Sequence, residues 1–110
     1  MPSPSLPDRM RADLGEAMRS RDSVRADVLR TVLSAIANAE AVPMNAAVHS
    51  PTQGLVDHER RQPTDDDVAR IVAEEVADRQ HTIDVLNGAG RPDEAAELEA
   101  ELAVLRSYLP

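Results

Sequence analysis

Only one residue of the 110 in this chain, Tyr108, is aromatic; the sequence contains neither Phe nor Trp. A core must therefore be built from aliphatic side chains, chiefly Ala, Val, Leu and Ile. Strands are usually enriched in aromatic as well as β-branched residues, whereas Leu and Ala form the ridges and grooves through which helices pack. A length of 110 residues fits one ordinary domain. The composition thus predicts a single all-α domain.

Two amphipathic helices are predicted in the first half of the chain. Ser5 is placed to cap a helix that begins near Leu6 and ends around Ser20. Asp22 or Ser23 can cap the second helix. The apolar stripe of this helix continues for more than four turns, which makes it the strongest helix prediction in the chain. The positions predicted to be buried are Leu6, Met10, Leu14, Ala17 and Met18 in the first helix and Val24, Val28, Leu29, Val32, Leu33, Ile36 and Ala39 in the second.

The second half predicts another pair of helices. Thr64 and the three aspartates after it form a capping signal for helix three, and Gly88 and Gly90 can supply the left-handed residue that closes it. Pro92 stands at a favoured first-turn position of helix four. The positions predicted to be buried are Val68, Ile71, Val72, Val76, Ile83, Leu86, Ala95, Leu98, Leu102, Leu105 and Leu109. A tight Gly-rich turn joins antiparallel helices, so we predict four helices arranged as two antiparallel hairpins.

Helical periodicity disappears over residues 41–63, between the two predicted hairpins. Three prolines and a glycine interrupt this segment. Connections between helices in compact domains typically span about 2–8 residues. We therefore expect residues 41–63 to form a long, irregular and flexible insertion loop, with a short helical turn over residues 55–61.

The formal net charge of −8 is unevenly distributed. Residues 1–39 carry six arginines and five acidic residues, whereas residues 64–110 carry four arginines and twelve acidic residues. A strongly acidic surface repels phosphate, so the molecule as a whole is not expected to bind nucleic acid without sequence preference. Any contact with nucleic acid should use the arginine-bearing first half.

The chain has no cysteine and no lysine. Disulfides, thiolate metal sites, Schiff-base lysines and Ser-Ser-Lys amidase triads are therefore excluded. No apolar run is long enough for the core of a signal peptide or for a membrane span, so the expected location is cytoplasmic, without membrane contact.

Histidines and the acidic face of helix four are the remaining candidates for catalysis or metal binding. His49 and His58 lie in the predicted loop without the partner of a helical metal motif, and His81 is expected to form a surface ion pair with Asp78 or Asp84. Hard cations need a tighter cage of oxygens than carboxylates spread around a helix. Those carboxylates belong to Asp93, Glu94, Glu97, Glu99 and Glu101. We predict no catalytic residue, metal, cofactor or small-molecule substrate.

The candidate nucleic-acid-binding residues are the arginines around the first predicted turn, Arg19, Arg21, Arg25 and Arg30. Arg21 lies at the predicted turn, Arg19 just before it and Arg25 one helical turn after it. Several guanidinium groups can therefore contact one phosphate backbone. Asp22 and Asp27 are close enough to neutralise these arginines, so salt bridges between helices are the alternative. Without Phe or Trp there is no platform for base stacking, so RNA contact would be with shape and phosphates.

Three blocks of the sequence, in this order and spacing, resemble the YqeY family. The first comprises AMRSRD at 17–22, VLR at 28–30 and AIANAE at 35–40; the second comprises EVxxR at 75–79, an isoleucine at 83 and AGR at 89–91; the third comprises AE at 100–101, VL at 104–105 and YLP at 108–110. The resemblance covers all four helices. It fails at 42–62, where typical members have a much shorter connector.

The resemblance implies that 1–110 is a single domain equivalent to the N-terminal helical domain of the family, and that the small helical bundle with which members usually continue is absent from this sequence. The same fold forms the tail of the GatB subunit of aspartyl/glutamyl-tRNA amidotransferases. Other domains of that enzyme carry the chemistry, and the tail helps to present the tRNA.

The family is associated with carbon–nitrogen ligase activity with glutamine as amido-nitrogen donor, but this chain is expected to be a non-catalytic accessory module. The implied partner is tRNA or an amidotransferase-related protein bound to it. The alternative is a protein-interaction module, unrelated to RNA, whose acidic second hairpin binds a partner or a second copy of the chain. Charge reversal at Glu97 and Glu101 would abolish such a complex.

Overall fold

The computed structural model describes residues 3–40 and 63–110, and this part of the chain contains four α-helices and no strand. The helices are α1 (Leu6–Arg19), α2 (Ser23–Glu40), α3 (Asp65–Gly88) and α4 (Pro92–Arg106). The prediction of an all-α chain with four helices is confirmed. The predictions for residues 41–62, including the helical turn at 55–61 and the two histidines at 49 and 58, lie outside the described residues.

Side-chain caps start α1 and α3 where the sequence predicts them. Ser5 Oγ accepts a hydrogen bond from the backbone N–H of Asp8 at 3.2 Å. Thr64 and Asp67 form a reciprocal capping box: Thr64 Oγ1 accepts from the Asp67 N–H at 3.1 Å, and Asp67 Oδ2 accepts from the Thr64 N–H at 3.0 Å. These bonds satisfy N–H groups that have no partner within the helix.

The four helices form two hairpins, α1 with α2 and α3 with α4. The hairpins pack together through α2 and α3, each of which contacts all three other helices. The start of α3 is also tied to the start of α1, since Asp65 Oδ1 accepts a hydrogen bond from the Leu6 N–H at 3.0 Å. The exposed turn between α1 and α2 therefore lies at the far end of α1 from this tie.

The main core is aliphatic apart from one tyrosine. Its buried members are Met10, Val28, Leu29, Val32, Ile36, Val68, Val72, Leu105 and Tyr108. A smaller cluster between α3 and α4 consists of Ile83, Ala95 and Leu102. The tyrosine is only 6% exposed, so its ring packs within this core. Most of the predicted stripe is thus buried or half-buried.

Three positions that the periodicity assigns to the core are exposed instead: Met18, Val24 and Ala39. Met18 is 54% exposed at the end of α1, and Val24 is 42% exposed at the start of α2. The residues that could cover them are small: Ala26 beside Met18, and the alanines of α4 opposite Val24. Periodicity identifies the face of a helix but not the bulk of the residues opposite, which is why the prediction was wrong here.

Candidate nucleic-acid interface

Helix α1 ends in a turn that holds an arginine in the left-handed conformation. Arg21 has φ = 61°. The Asp22 N–H donates to the Ala17 carbonyl at 2.8 Å, and the Arg21 N–H donates to the Met18 carbonyl at 3.3 Å. This pair of bonds defines a Schellman motif, whose left-handed position is usually glycine because an L-residue there costs about 1–2 kcal/mol. Arg21 is therefore held in a strained conformation at an exposed turn.

Asp22 is the N-cap of α2. Its Oδ1 accepts a hydrogen bond from the Arg25 N–H at 3.2 Å, and its carbonyl accepts from the Ala26 N–H at 3.0 Å. Of the two predicted caps, the structure thus uses the first. The Asp22 carboxylate serves the helix end and forms no ion pair with an arginine in the described part of the chain.

Two of the four candidate arginines, Arg21 and Arg30, line one shallow groove of about 310 Å³ between the end of α1 and the first turns of α2. Arg30 pairs with Asp27 in the same groove at 3.2 Å. Arg19 lies on α1 and pairs with Glu16 at 3.4 Å. Both pairs are more than half exposed and therefore contribute little to stability. Among the described residues the side chain of Arg21 has no hydrogen bond or ion pair.

Arg25 does not line this groove. It faces Asp13 of α1 at 3.7 Å, and each of the two side chains is about one-third exposed. Asp13 also accepts a hydrogen bond from the hydroxyl of Tyr108. Arg25 therefore forms a salt bridge between helices, as the alternative interpretation predicts. Of the four candidate arginines, Arg21 and Arg30 line the groove, and Arg19 lies beside it on α1.

Comparison with protein-family models decides the identity of the fold, because the model described as YqeY-like protein matches residues 7–110. The chain belongs to the YqeY family. No curated protein sequence matches it. The matched range covers all four helices and includes the turn that carries Arg21.

In this YqeY domain, Tyr108 connects the end of the chain to α1. Burial raises the pKa of Tyr108 to about 12, and the hydrogen bond to Asp13 and the negative charge of that carboxylate act in the same direction, while Arg25 opposes them. The guanidinium of Arg9 lies 5.6 Å from the centre of the tyrosine ring, within cation–π distance. Sequence reasoning missed these contacts; the signal available was that the only aromatic residue falls within the last block of the family resemblance.

Arg79 bridges α3 and α4 of the YqeY domain. Its guanidinium donates to Glu75 Oε1 at 2.7 Å and to Glu101 Oε1 at 2.8 Å, and the arginine side chain is only 14% exposed. Burial alone lowers the pKa of Arg79, but the hydrogen bonds and charges of the two glutamates outweigh it, so the pKa is raised above its ordinary value. Glu101, one of the two glutamates that the protein-interaction alternative names, is thus already engaged in holding the second hairpin together.

The prediction that His81 forms an ion pair with Asp78 or Asp84 is wrong. His81 is exposed on α3 and pairs with neither neighbouring aspartate in the described structure. Asp84 Oδ1 accepts instead from the side-chain amide of Gln80, four residues earlier in α3, at 3.2 Å.

Across residues 3–40 and 63–110, no three histidine or acidic side chains converge in a way that could hold a metal ion. The same residues include no helix of the length and apolarity needed to cross a membrane.

Proposed function

We propose that this YqeY domain is a non-catalytic accessory module that contacts the phosphate backbone of tRNA, alone or bound to a partner, through the turn between α1 and α2. Its role lies in or near tRNA-dependent amidation, where related folds form the tail of a larger enzyme. The observation that carries the proposal is Arg21, a strained and exposed arginine whose charge no side chain within residues 3–40 and 63–110 neutralises.

Strain at this position supports a functional role. Residues held in sparsely populated backbone conformations cluster at binding sites, and an observed outlier of this kind justifies a hypothesis of function. Glycine would relieve the strain, so the arginine side chain is present despite its backbone cost. A guanidinium group presents a planar fork of donors that matches a phosphate, which is the chemistry the turn can offer.

The neighbouring pairs are compatible with this role. Arg30–Asp27 and Arg19–Glu16 are exposed and therefore weak, so either arginine can turn toward a phosphate at little energetic cost. The acidic surface of α4 orients the complex, since it repels RNA and leaves the first hairpin as the approach side.

The test is a fluorescence-anisotropy titration of labelled total tRNA with the protein at low and moderate salt. The double variant Arg21→Ala/Arg30→Ala removes the groove pair. The matched control is Arg70→Ala/Arg106→Ala, which removes the same charge from exposed positions of α3 and α4. Arg25 is left intact because it bridges to Asp13.

We expect saturable, salt-dependent binding by the parent protein. The slope of log affinity against log salt should fall by about two in the groove variant, one for each lost phosphate contact. The control should keep the parent slope. Absence of saturable binding at low salt, or equal losses in both variants, would refute the proposal.

Catalysis is tested separately. Glutaminase and amidotransferase assays on the purified chain should show no turnover above buffer. Reproducible turnover that follows the protein through purification would contradict the non-catalytic role.

A further inference from the structure

A second groove lies where α2 meets α4 and has a volume of about 420 Å³. Its lining residues are Val24 and Asp27 of α2 and Ala96, Glu97, Ala100 and Glu101 of α4. Asp27 lines both this groove and the groove of Arg21 and Arg30, but none of the four candidate arginines lines this one. The two grooves therefore adjoin at Asp27, and only the first of them contains arginine.

The floor of this groove is apolar. Val24 is 42% exposed although it continues the buried stripe of α2. The residues of α4 that face it are Ala96 and Ala100, whose methyl groups are too small to cover it. Apolar surface between two helices thus remains open to side chains of another molecule.

The rim of the groove is acidic. Asp27 forms an ion pair with Arg30 at 3.2 Å, and Glu101 forms one with Arg79 at 2.8 Å. Glu97 has no hydrogen bond or ion pair among the described residues. No arginine lines the groove itself, and α4 carries five acidic residues against one arginine. Glu97 is thus the rim carboxylate without a cationic partner in the described part of the chain, and its charge favours a cationic ligand over a phosphate-bearing one.

We propose that this groove binds an amphipathic helix of a partner protein, one that places apolar side chains over Val24 and lysine or arginine side chains beside Glu97. Apolar anchors at helical spacing that enter a groove between helices are a recurrent recognition mode. Charge complementarity selects a basic helix in preference to an acidic one and speeds its association. The proposal does not rest on the RNA contact, because Val24 and Glu97 do not line the groove of Arg21 and Arg30.

The experiment uses two fluorescein-labelled probe peptides of about 14 residues, which form roughly four helical turns. The first carries leucines along one face with lysines on both flanks, and the second carries glutamates in place of the lysines. Two matched pairs of protein variants separate the groove from general attraction. Glu97→Gln is compared with Glu99→Gln, which removes the same charge from the same helix outside the groove. Val24→Ser is compared with Val85→Ser, which truncates another exposed valine on α3.

We expect the basic probe to bind and the acidic probe not to bind. Glu97→Gln should weaken the basic probe about threefold, the effect of losing one exposed charge pair, and Val24→Ser should weaken it by roughly fivefold through lost apolar contact. Glu99→Gln and Val85→Ser should leave the affinity unchanged. The tRNA titration of Val24→Ser should match the parent, so failure of one proposal can be told from failure of the other.

Equal losses in Glu97→Gln and Glu99→Gln would overturn the proposal, because they would mean attraction to overall charge. Binding of both probes alike would overturn it as well, since apolar contact alone would then suffice. Concentration-dependent self-association that Val24→Ser abolishes would assign the groove to a second copy of this chain and refute a foreign helix. Binding of tRNA that Val24→Ser weakens would assign it to RNA, with the same consequence.

Discussion

The two hairpins of this YqeY domain close with the same hydrogen-bonded turn but place different residues at its left-handed position. Between α3 and α4, the Arg91 N–H donates to the Leu86 carbonyl at 2.9 Å and the Gly90 N–H donates to the Asn87 carbonyl at 3.2 Å, with φ of Gly90 at 74°. Between α1 and α2, the same two bonds close the turn around Arg21 with φ at 61°. One turn is built with glycine and the other with arginine.

The two hairpins also differ in the length and exposure of the ion pair that joins their helices. The second hairpin has the bridge from Arg79 to Glu101 at 2.8 Å, with the arginine only 14% exposed. The first hairpin has Arg25 and Asp13 at 3.7 Å, about one-third exposed on both sides. Short, buried and multiply bonded pairs hold a structure more firmly than long exposed ones.

The two halves of this small fold are therefore not equally optimised for stability. The second hairpin has the relaxed backbone and the tight bridge that stability favours. The first hairpin keeps a strained arginine and exposed ion pairs at one end. Sites of function commonly retain such local destabilisation, whereas residues chosen for stability remove it.

The largest expected effect comes from breaking the second bridge. Arg79→Ala leaves Glu75 and Glu101 close together without their shared cation, and we expect the free energy of unfolding to fall by about 2 kcal/mol. Urea unfolding followed by circular dichroism measures it. The control Arg25→Ala should lose less than about 1 kcal/mol, because its pair is long and partly exposed. Equal losses would remove the difference between the hairpins.

The second effect tests the relaxed turn. Gly90→Ala should lower the free energy of unfolding by about 1–2 kcal/mol, because an L-residue at this φ is strained. A new Cβ would meet no atom within 4 Å, so the loss would come from the backbone alone. Gly88→Ala is the control. It also meets no atom within 4 Å, and as a helical position it should gain up to about 1 kcal/mol. Losses of the same sign at both glycines would contradict the left-handed turn.

The third effect concerns Tyr108, which connects the second hairpin to the bridge of the first. Tyr108→Phe should lower the free energy of unfolding by about 1 kcal/mol near neutral pH, because Asp13 loses its hydrogen-bond donor. The folded-state pKa of Tyr108, raised from 10.0 to about 12, means that this stabilisation is complete below pH 10 and is lost as the pH rises to 12. Unfolding curves at several pH values should therefore converge for the two proteins in that window. A constant difference up to pH 12 would contradict the assignment.

Most of the fold could be predicted from the sequence because its signals are local. Helical periodicity and the caps at Ser5 and Thr64 depend on residues within a few positions of each other, and the structure places both caps as predicted. Burial of a side chain, in contrast, depends on residues of another helix that are distant in the sequence. Val24 carries the right spacing for a core residue but is exposed because α4 presents alanines to it.

The candidate site could be predicted only in part for a related reason. The sequence places Arg21 in a turn, but nothing in Ser-Arg-Asp signals a left-handed arginine, because that conformation is imposed by the two helices the turn must join. Whether Arg25 faces RNA or Asp13 depends on how α1 and α2 are rotated about their axes. Such rotations follow from packing across the whole core, which no local pattern specifies.

The smallest change in stability is expected for Arg21→Gly. This substitution places glycine at the left-handed position of the first turn, the position that Gly90 holds in the second turn. Relief of strain is partly offset by the greater freedom of glycine in the unfolded chain, so we expect a net gain of about 0.5 kcal/mol. Arg21→Ala removes the same guanidinium but keeps the strain, and should show no such gain.

If Arg21 is retained for its side chain, both variants must lose the same share of tRNA affinity although only one of them is stabilised. Stability and binding then move independently at a single position, which ordinary loss of structure cannot produce. A glycine variant that is more stable and binds tRNA as tightly as the parent would show instead that the strain serves no contact with RNA. The difference between the two turns would then have no functional cause in the proposed interface.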